Sequence, residues 1–174
     1  MHGDFSNFTR SAPTMQAAIV VMLIGAATLV GAWFFQYVIG LPPCPLCLEQ
    51  RVAYYFAVPL AAMIALGVSY GAKPKVLQFA LLAIAAAMLW NAGLGVYHSG
   101  IEWGWWPGPA ECSGTPTFGN MDDIIERAKH ARVVRCDEAA WRDPVLRLSL
   151  AGYNVLISLA LAAVALRGAL AKRA

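Results

Sequence analysis

Four long stretches without a charged residue constrain the fold of this chain more than any other feature of its sequence. They run from about Ala17 to Phe35, Val52 to Tyr70, Val76 to Tyr97 and Leu148 to Leu166. Each is close to the roughly 20 apolar residues that an α-helix needs to cross a bilayer. The sequence therefore predicts an all-α integral membrane protein, a four-transmembrane-helix bundle that forms a single membrane domain over residues 1–174.

The composition excludes the common classes of soluble protein. Hydrophobic residues make up 59% of the chain and charged residues 13%, whereas soluble domains contain about 45–50% and about 25%. The net charge of +3 comes from 13 basic and 10 acidic residues that form no basic stripe. Nucleic acid is therefore not an expected partner, and the expected surroundings are a lipid bilayer.

Basic residues near the ends of the spans predict the orientation of the bundle. The N-terminal tail, the loop at 71–75 and the C-terminal tail hold six Lys and Arg residues against one acid, whereas residues 36–51 and 98–147 hold seven against nine. Because Lys and Arg concentrate on the cytoplasmic side, both termini are predicted to be cytosolic. Segments 36–51 and 98–147 are then periplasmic loops of a protein in a bacterial inner membrane.

All four cysteines, Cys44, Cys47, Cys112 and Cys136, fall in these two outward segments. Disulfides persist in an oxidising compartment such as the periplasm. Four cysteines allow three pairings, and proximity along the chain favours Cys44 with Cys47 and Cys112 with Cys136. A purely structural pair of disulfides is one alternative to a redox role. A zinc site is another, although only one C-x-x-C is present and no H-x₃₋₅-H accompanies it.

The first cysteine pair lies directly before the second span, in Pro42-Pro43-Cys44-Pro45-Leu46-Cys47-Leu48-Glu49-Gln50-Arg51. Prolines end a preceding helix and suit the first turn of a new one, so Cys47 is predicted near a helix N-terminus. Arg51 lies four residues further on the same face. The helix end and the cation both favour the thiolate, the nucleophilic form of cysteine. This environment indicates a redox-active pair, although an arginine at this depth is also typical of a snorkelling side chain.

His98 ends the third span at the same outer face as Cys47 and Arg51. It is either an interfacial residue or a part of the site. The tryptophans that follow, Trp103, Trp105 and Trp106, are typical of anchors at the level of the lipid headgroups.

A short interfacial helix is predicted between Cys112 and Cys136. Asn120 suits its N-cap, and apolar residues follow at helical spacing. Such a helix lies flat on the membrane surface. It either presents the cysteine pair to a soluble partner or simply caps the loop.

These features together closely resemble the disulfide bond formation protein B (DsbB) family. The resemblance rests on the four spans, the two outward cysteine pairs and the motif Cys-Pro-Leu-Cys-Leu-Glu-Gln-Arg that begins at Cys44. The stretch from Tyr97 to Cys112 also fits, as does Trp141 after the last cysteine. The likeness covers about residues 25–166. Glu49 stands where some family members carry an aromatic residue.

The resemblance implies a quinone-dependent oxidase that reoxidises a DsbA-like soluble periplasmic thiol oxidase and so supports disulfide formation in secreted proteins. By this likeness Cys112 takes the partner's thiolate into a mixed disulfide, and the released Cys136 attacks Cys44. Cys47 then passes electrons to ubiquinone or menaquinone from the membrane pool. The quinone is bound beside Arg51, with His98 nearby, and no metal or flavin is implied.

Three alternatives to a general oxidase remain at this point. One is a DsbB paralogue dedicated to one special thiol oxidase. A vitamin K epoxide reductase-like enzyme also combines a membrane bundle with quinone-linked cysteines, but its C-x-x-C lies late in the bundle. The third is a non-enzymatic membrane scaffold whose disulfides only brace the loops.

The N-terminal tail is expected to be inaccessible from the periplasm, because it belongs to the group of segments whose excess of Lys and Arg predicts a cytosolic location. In a variant without native cysteines, Ser6→Cys should react with a membrane-impermeant maleimide only after the cells are disrupted. The matched control, Glu138→Cys in the second outward segment, should react in intact cells. Labelling of position 6 in intact cells would contradict the orientation and the redox assignment that depends on it.

Overall fold

The computed structural model describes residues 3–109 and 135–171, and the predicted interfacial helix lies almost entirely outside them. Four α-helices dominate the described residues: α1 (Gly3–Trp33), α2 (Pro45–Ser69), α3 (Pro74–Glu102) and α4 (Leu150–Leu170). A π-helical turn, Phe34–Val38, continues α1. The described part of the chain contains no strand, only an isolated bridge between Arg142 and Ser149 just before α4.

All four helices are long and apolar enough to cross a membrane, over Ala12–Val38, Pro45–Ser69, Pro74–Glu102 and Leu150–Leu170. Large apolar side chains point outward along them, as Leu23, Phe79 and Trp90 illustrate. A continuous apolar surface of this kind suits contact with lipid. The predicted four-helix membrane bundle is confirmed.

The helices extend beyond the apolar stretches from which they were predicted. α2 begins at Pro45 rather than near Val52, so the C-x-x-C motif belongs to its first turn. α3 continues through His98 to Glu102, so the histidine lies inside the helix. Hydropathy marks only the part of a helix that contacts hydrocarbon, whereas a helix ends where its backbone groups find other partners.

Glycines let neighbouring helices approach closely. A Cβ added to Gly25 of α1 would lie 2.8 Å from Val58 Cγ2 of α2, and one added to Gly95 of α3 would lie 2.8 Å from Val155 Cγ2 of α4. Within a membrane, packing of this kind holds helices together, because lipid tails are as apolar as the side chains they replace.

A buried set of four polar side chains, here called the polar core, connects three of the helices. Tyr54 of α2 donates a hydrogen bond to Asn154 Oδ1 of α4 at 2.7 Å. Asn91 of α3 donates to Asn154 Oδ1 at 3.1 Å and to Ser158 Oγ of α4 at 3.0 Å. All four residues are buried. Because hydrocarbon offers no hydrogen-bond partners, these groups fix which helix faces meet.

Removal of the Tyr54 hydroxyl is expected to destabilise the bundle, because Asn154 then loses a buried donor. Tyr54→Phe should lower the free energy of unfolding by about 0.5–1.5 kcal/mol, the size of an interhelical hydrogen bond in a membrane. Tyr55→Phe is the matched control, since Tyr55 is 46% exposed. Unfolding in detergent micelles measures both, and equal stability of the two variants would contradict the role of the polar core.

Candidate thiol redox site

Cys47 lies in the first turn of α2 and Cys44 lies directly before it, as the prolines predict. Pro45 is at the start of the helix, and Cys44 is its N-cap, whose Sγ accepts a hydrogen bond from Cys47 N at 3.2 Å. Both cysteines are free, and the Cys44 thiol donates to Cys47 Sγ at 2.7 Å. This hydrogen bond and burial raise the pKa of the Cys44 thiol. Cys44 therefore keeps its proton, and Cys47 Sγ lies where the helix dipole favours negative charge.

A buried histidine approaches the cysteine pair from α3. His98 Nε2 lies 3.6 Å from Cys44 Sγ, and the residue is 3% exposed. At the other ring nitrogen, Gln50 Nε2 of α2 lies 3.0 Å from His98 Nδ1. Glu102, one turn further along α3, brings its Oε1 to 3.9 Å from His98 Nε2. Two helices thus bring a thiol, an imidazole, a carboxamide and a carboxyl group together.

Arg51 is held against the end of α1. Its Nη1 donates to Gln36 Oε1 at 2.6 Å, and its Nη2 donates to Ala32 O at 3.5 Å. Gln36 belongs to the π-helical turn that follows α1. Arg51 also lies within electrostatic range of Cys47, as side chains four residues apart on a helix do. A guanidinium group with two fixed acceptors is more ordered than a snorkelling side chain needs to be.

One half of the second cysteine pair packs against the first pair. Cys136 is disulfide-bonded and 1% exposed. It shares a buried apolar cluster with Cys44, Leu46 and Ile101, and Cys47 packs against the edge of this cluster. The structure therefore brings three of the four cysteines together, and the fourth, at position 112, lies outside the described residues.

Aromatic side chains fix the chain on both sides of residues 110–134. Trp106 stacks on Tyr97 with ring centroids 6.1 Å apart and donates a hydrogen bond to Tyr97 O at 2.9 Å. Its ring lies directly on Gly100, where any Cβ would collide with it. After Cys136, Trp141 packs against Phe35 with centroids 5.3 Å apart. Trp103 and Trp105, the other two tryptophans near the end of α3, are more than half exposed.

Sequence reasoning did not single out Gln36, Gln50 or Glu102. A signal existed for two of them, because Gln50 directly precedes Arg51 and Glu102 shares a helical face with His98 four residues earlier. For Gln36 there was none, since its contact with Arg51 depends on the π-helical turn.

Three side chains of the site are also potential metal ligands. One ligand atom each from Cys44, Cys47 and His98 lies within 4.8 Å of the other two. Two thiolates and an imidazole are donors typical of zinc. The geometry alone therefore allows both redox chemistry and metal binding.

Most of the chain matches one protein family. Residues 14–167 match the family model of the disulfide bond formation protein DsbB. The chain belongs to the DsbB family. Membership supports a role in disulfide bond formation and implies that the protein is a disulfide oxidoreductase. The four apolar helices support a multi-pass membrane protein. The match to the DsbB family model also argues against the vitamin K epoxide reductase-like alternative.

Several curated relatives carry the same name. A disulfide bond formation protein B from Polaromonas is 26% identical over 153 residues, which are 84% of this chain and 85% of that protein. Its counterpart from Burkholderia thailandensis is 34% identical over 94 residues, 53% of this chain and 54% of that protein. The chain thus spans about half the length of that relative. An uncharacterized protein of Rickettsia prowazekii is 25% identical over 146 residues, 82% of this chain and 80% of that protein. No solved structure matches.

Cys47 is expected to react faster than Cys44. Each thiol is tested alone, in proteins whose Cys112 and Cys136 are replaced by serine. At neutral pH a small alkylating reagent should label Cys47 in the Cys44→Ser variant roughly tenfold faster than Cys44 in the Cys47→Ser variant. The reason is that the helix N-terminus and Arg51 favour the Cys47 thiolate. Mass spectrometry gives both rates, and their dependence on pH separates thiolate formation from access, because the thiolate fraction changes with pH. Arg51→Gln should slow the labelling of Cys47. Equal rates in the folded proteins would contradict this assignment.

Proposed function

We propose that this protein reoxidises a soluble DsbA-like thiol oxidase and passes the electrons to a membrane quinone. The observation that carries the proposal is the packing of the disulfide-bonded Cys136 against the free Cys44–Cys47 pair in one buried cluster. Exchange between two disulfides requires that an attacking sulfur reaches the sulfur it attacks. DsbA is a strong oxidant, near about −120 mV, so its own oxidant needs a still stronger acceptor, and a lipid-dissolved quinone is available at this depth.

The first exchange takes place at the loop pair. Since Cys136 is 1% exposed, we assign the sulfur that the partner's thiolate attacks to Cys112. The Cys112–Cys136 bond breaks, a mixed disulfide joins Cys112 to the partner, and Cys136 leaves as a thiolate. The partner's second thiolate then displaces Cys112, and the partner departs with its own disulfide formed.

The second exchange carries the electron pair to α2. The Cys136 thiolate attacks Cys44 Sγ of the Cys44–Cys47 disulfide, and Cys47 leaves as a thiolate at the helix N-terminus. Cys112 then attacks Cys136, which restores the loop disulfide and leaves Cys44 and Cys47 as the free thiols that the structure contains. The Cys44 sulfur takes up a proton as it departs, and His98 Nε2, 3.6 Å away, is placed to pass on to it one of the protons that the partner's two thiols release.

Arg51 and its surroundings fit the head group of a quinone. The guanidinium group is anchored on Gln36 and Ala32, and its planar array of donors suits a carbonyl oxygen that gains negative charge. When bound, ubiquinone or menaquinone supplies an acceptor for two electrons and two protons. We assign its binding to Arg51 of α2, one turn beyond Cys47, and to His98 of α3, while Cys47 is the donor thiolate.

The proposed location is the inner membrane of a bacterium, with a single membrane domain over residues 1–174. A disulfide at Cys136 is typical of an oxidising compartment. The cysteine site lies where α2 begins and α3 ends, whereas Lys73 and Lys75 flank the start of α3 at the opposite end of these helices. This arrangement supports periplasmic redox loops and cytosolic termini.

Substitution of Arg51 should impair the use of quinone more than the exchange with the partner. A fixed donor to a developing oxyanion is worth roughly 100-fold or more in rate, so Arg51→Ala should lower steady-state partner oxidation at limiting quinone by about 100-fold. Arg51→Lys should lower it by roughly tenfold, because lysine keeps the charge but not the planar fork. The measurement is partner oxidation across a quinone titration.

A single-turnover assay without added quinone provides the control for the Arg51 variants. Exchange between the loop disulfide and the partner should survive both substitutions, because that step does not involve Arg51. Arg167→Lys, in the last turn of α4, is the matched variant at the opposite end of the bundle and should leave both assays unchanged. Equal losses in the two assays would mean that Arg51 supports the fold instead of the electron acceptor.

A further inference from the structure

Three ligand-bearing side chains converge where α2 begins and α3 ends, and a carboxyl group lies next to one of them. Cys44 and Cys47 are free thiols. Their Sγ atoms and a ring nitrogen of His98 lie within 4.8 Å of one another. Glu102 brings Oε1 to 3.9 Å from His98 Nε2, and its side chain is 5% exposed. We propose that the reduced protein binds a zinc-type divalent cation through Cys44, Cys47 and His98, with Glu102 turning in as the fourth ligand, and that the bound ion blocks its reoxidation.

One edge of the site already agrees with tetrahedral coordination by zinc. Bond lengths of about 2.3 Å to sulfur and about 2.0–2.1 Å to nitrogen place a sulfur and a nitrogen ligand about 3.6 Å apart, and Cys44 Sγ lies 3.6 Å from His98 Nε2. The Sγ atoms of Cys44 and Cys47 are 2.7 Å apart, so one cysteine side chain must rotate to open this edge to about 3.8 Å. No backbone movement is needed for such a rotation.

Glu102 provides an independent observation that points to a ligand. Its Oε2 is buried and has no hydrogen-bond partner, although a buried carboxyl oxygen without a partner is costly. Ser149 and Arg142 are the neighbours of this carboxyl group from the segment that leads into α4. Glu102 lies outside the group of ligand atoms within 4.8 Å of one another, so its side chain must turn toward a bound cation to give Oε2 a partner and complete a four-ligand set.

Gln50 supplies the support that metal-binding histidines usually have. Its carboxamide lies at 3.0 Å from His98 Nδ1 and so holds the ring with Nε2 toward the sulfur atoms. With a cation at Nε2, the ring proton lies on Nδ1, so the Gln50 carboxamide must turn over to bring its oxygen, in place of its nitrogen, to Nδ1 as the acceptor. Partners of this kind typically change metal affinity by about 10–100-fold.

The consequence of binding follows from charge and proton balance. A divalent cation displaces one proton from each of the two thiols and forms two metal–sulfur bonds, without a change in oxidation state. Both thiolates are then unavailable for disulfide formation. The inhibitory role rests on the proposed function, whereas the binding site does not, and this ion is a regulatory ligand, not a resident cofactor.

Binding is tested first without quinone or partner. The full chain is used in detergent micelles, with Cys112 and Cys136 replaced by serine. It is reduced, freed of reductant and titrated with Cd²⁺. Absorption from thiolate-to-metal charge transfer reports binding. One ion per chain should bind, and none after Cys44 and Cys47 are oxidised to their disulfide. A Co²⁺ titration should give the intense visible bands of a tetrahedral site.

Substitutions of the two ligands outside the cysteine motif decide the assignment. His98→Ala and Glu102→Gln should each weaken Cd²⁺ binding at least about tenfold, whereas Glu138→Gln, an exposed carboxyl group at the same end of the chain's bundle, should not. Unfolding temperatures confirm that the variants are folded. If His98→Ala does not fold, Glu102→Gln alone provides the test. Binding that depends on the cysteines alone would overturn the proposal.

The same preparations separate this inference from the proposed function. Zn²⁺ at concentrations that saturate the site should abolish quinone-dependent partner oxidation by the native protein, and a chelator should restore it. Absence of metal binding in a protein that oxidises its partner normally overturns the inference alone. Ligand-dependent Cd²⁺ binding in a protein that never oxidises a partner supports the site and removes the proposed function.

Discussion

The polar core is the interaction on which the geometry of the cysteine site depends. Hydrocarbon-facing helices with uniformly apolar surfaces can rotate and slide against one another at little cost, whereas a buried hydroxyl or amide must meet its partner. Tyr54 lies seven residues after Cys47, and Asn91 lies seven residues before His98. Seven residues are close to two helical turns, so the register fixed at the polar core on α2 and α3 carries to the site on the same faces.

The site itself joins two environments that a membrane helix normally keeps apart. The C-terminal end of α3 and the N-terminal end of α2 bring charged and polar groups to the depth of the first and last helical turns, where burial is already nearly complete for His98 and Glu102. Each of these groups has at least one polar neighbour within or close to hydrogen-bonding distance. A low dielectric strengthens such contacts, so small displacements of the helix ends have a large effect on the charge that the cysteine pair can hold.

The four helices and the placement of Cys47 in a first turn could be predicted from sequence, because apolar length and proline position are local properties. The polar core could not, because the helices are apolar all round and hydropathy does not tell the buried Leu81 from the exposed Leu89. The contact between Arg51 and Gln36 was equally hidden, since a π-helical turn changes which residues of α1 face α2. What the sequence pattern lacks in each case is the rotation of a helix about its own axis.

The close fit of the Trp106 ring on Gly100 has a kinetic consequence. Trp106 is held on α3 and Cys136 is buried against the start of α2, so the described residues on either side of positions 110–134 are both fixed on the bundle. Closure of a segment of this length costs only a few kcal/mol of chain entropy, and a tether replaces a search through solution by a local concentration in the millimolar range. Under the proposed function, the exchange between the loop disulfide and the Cys44–Cys47 pair is then a first-order event, independent of dilution, and only the encounter with the soluble partner depends on the concentrations of the two proteins.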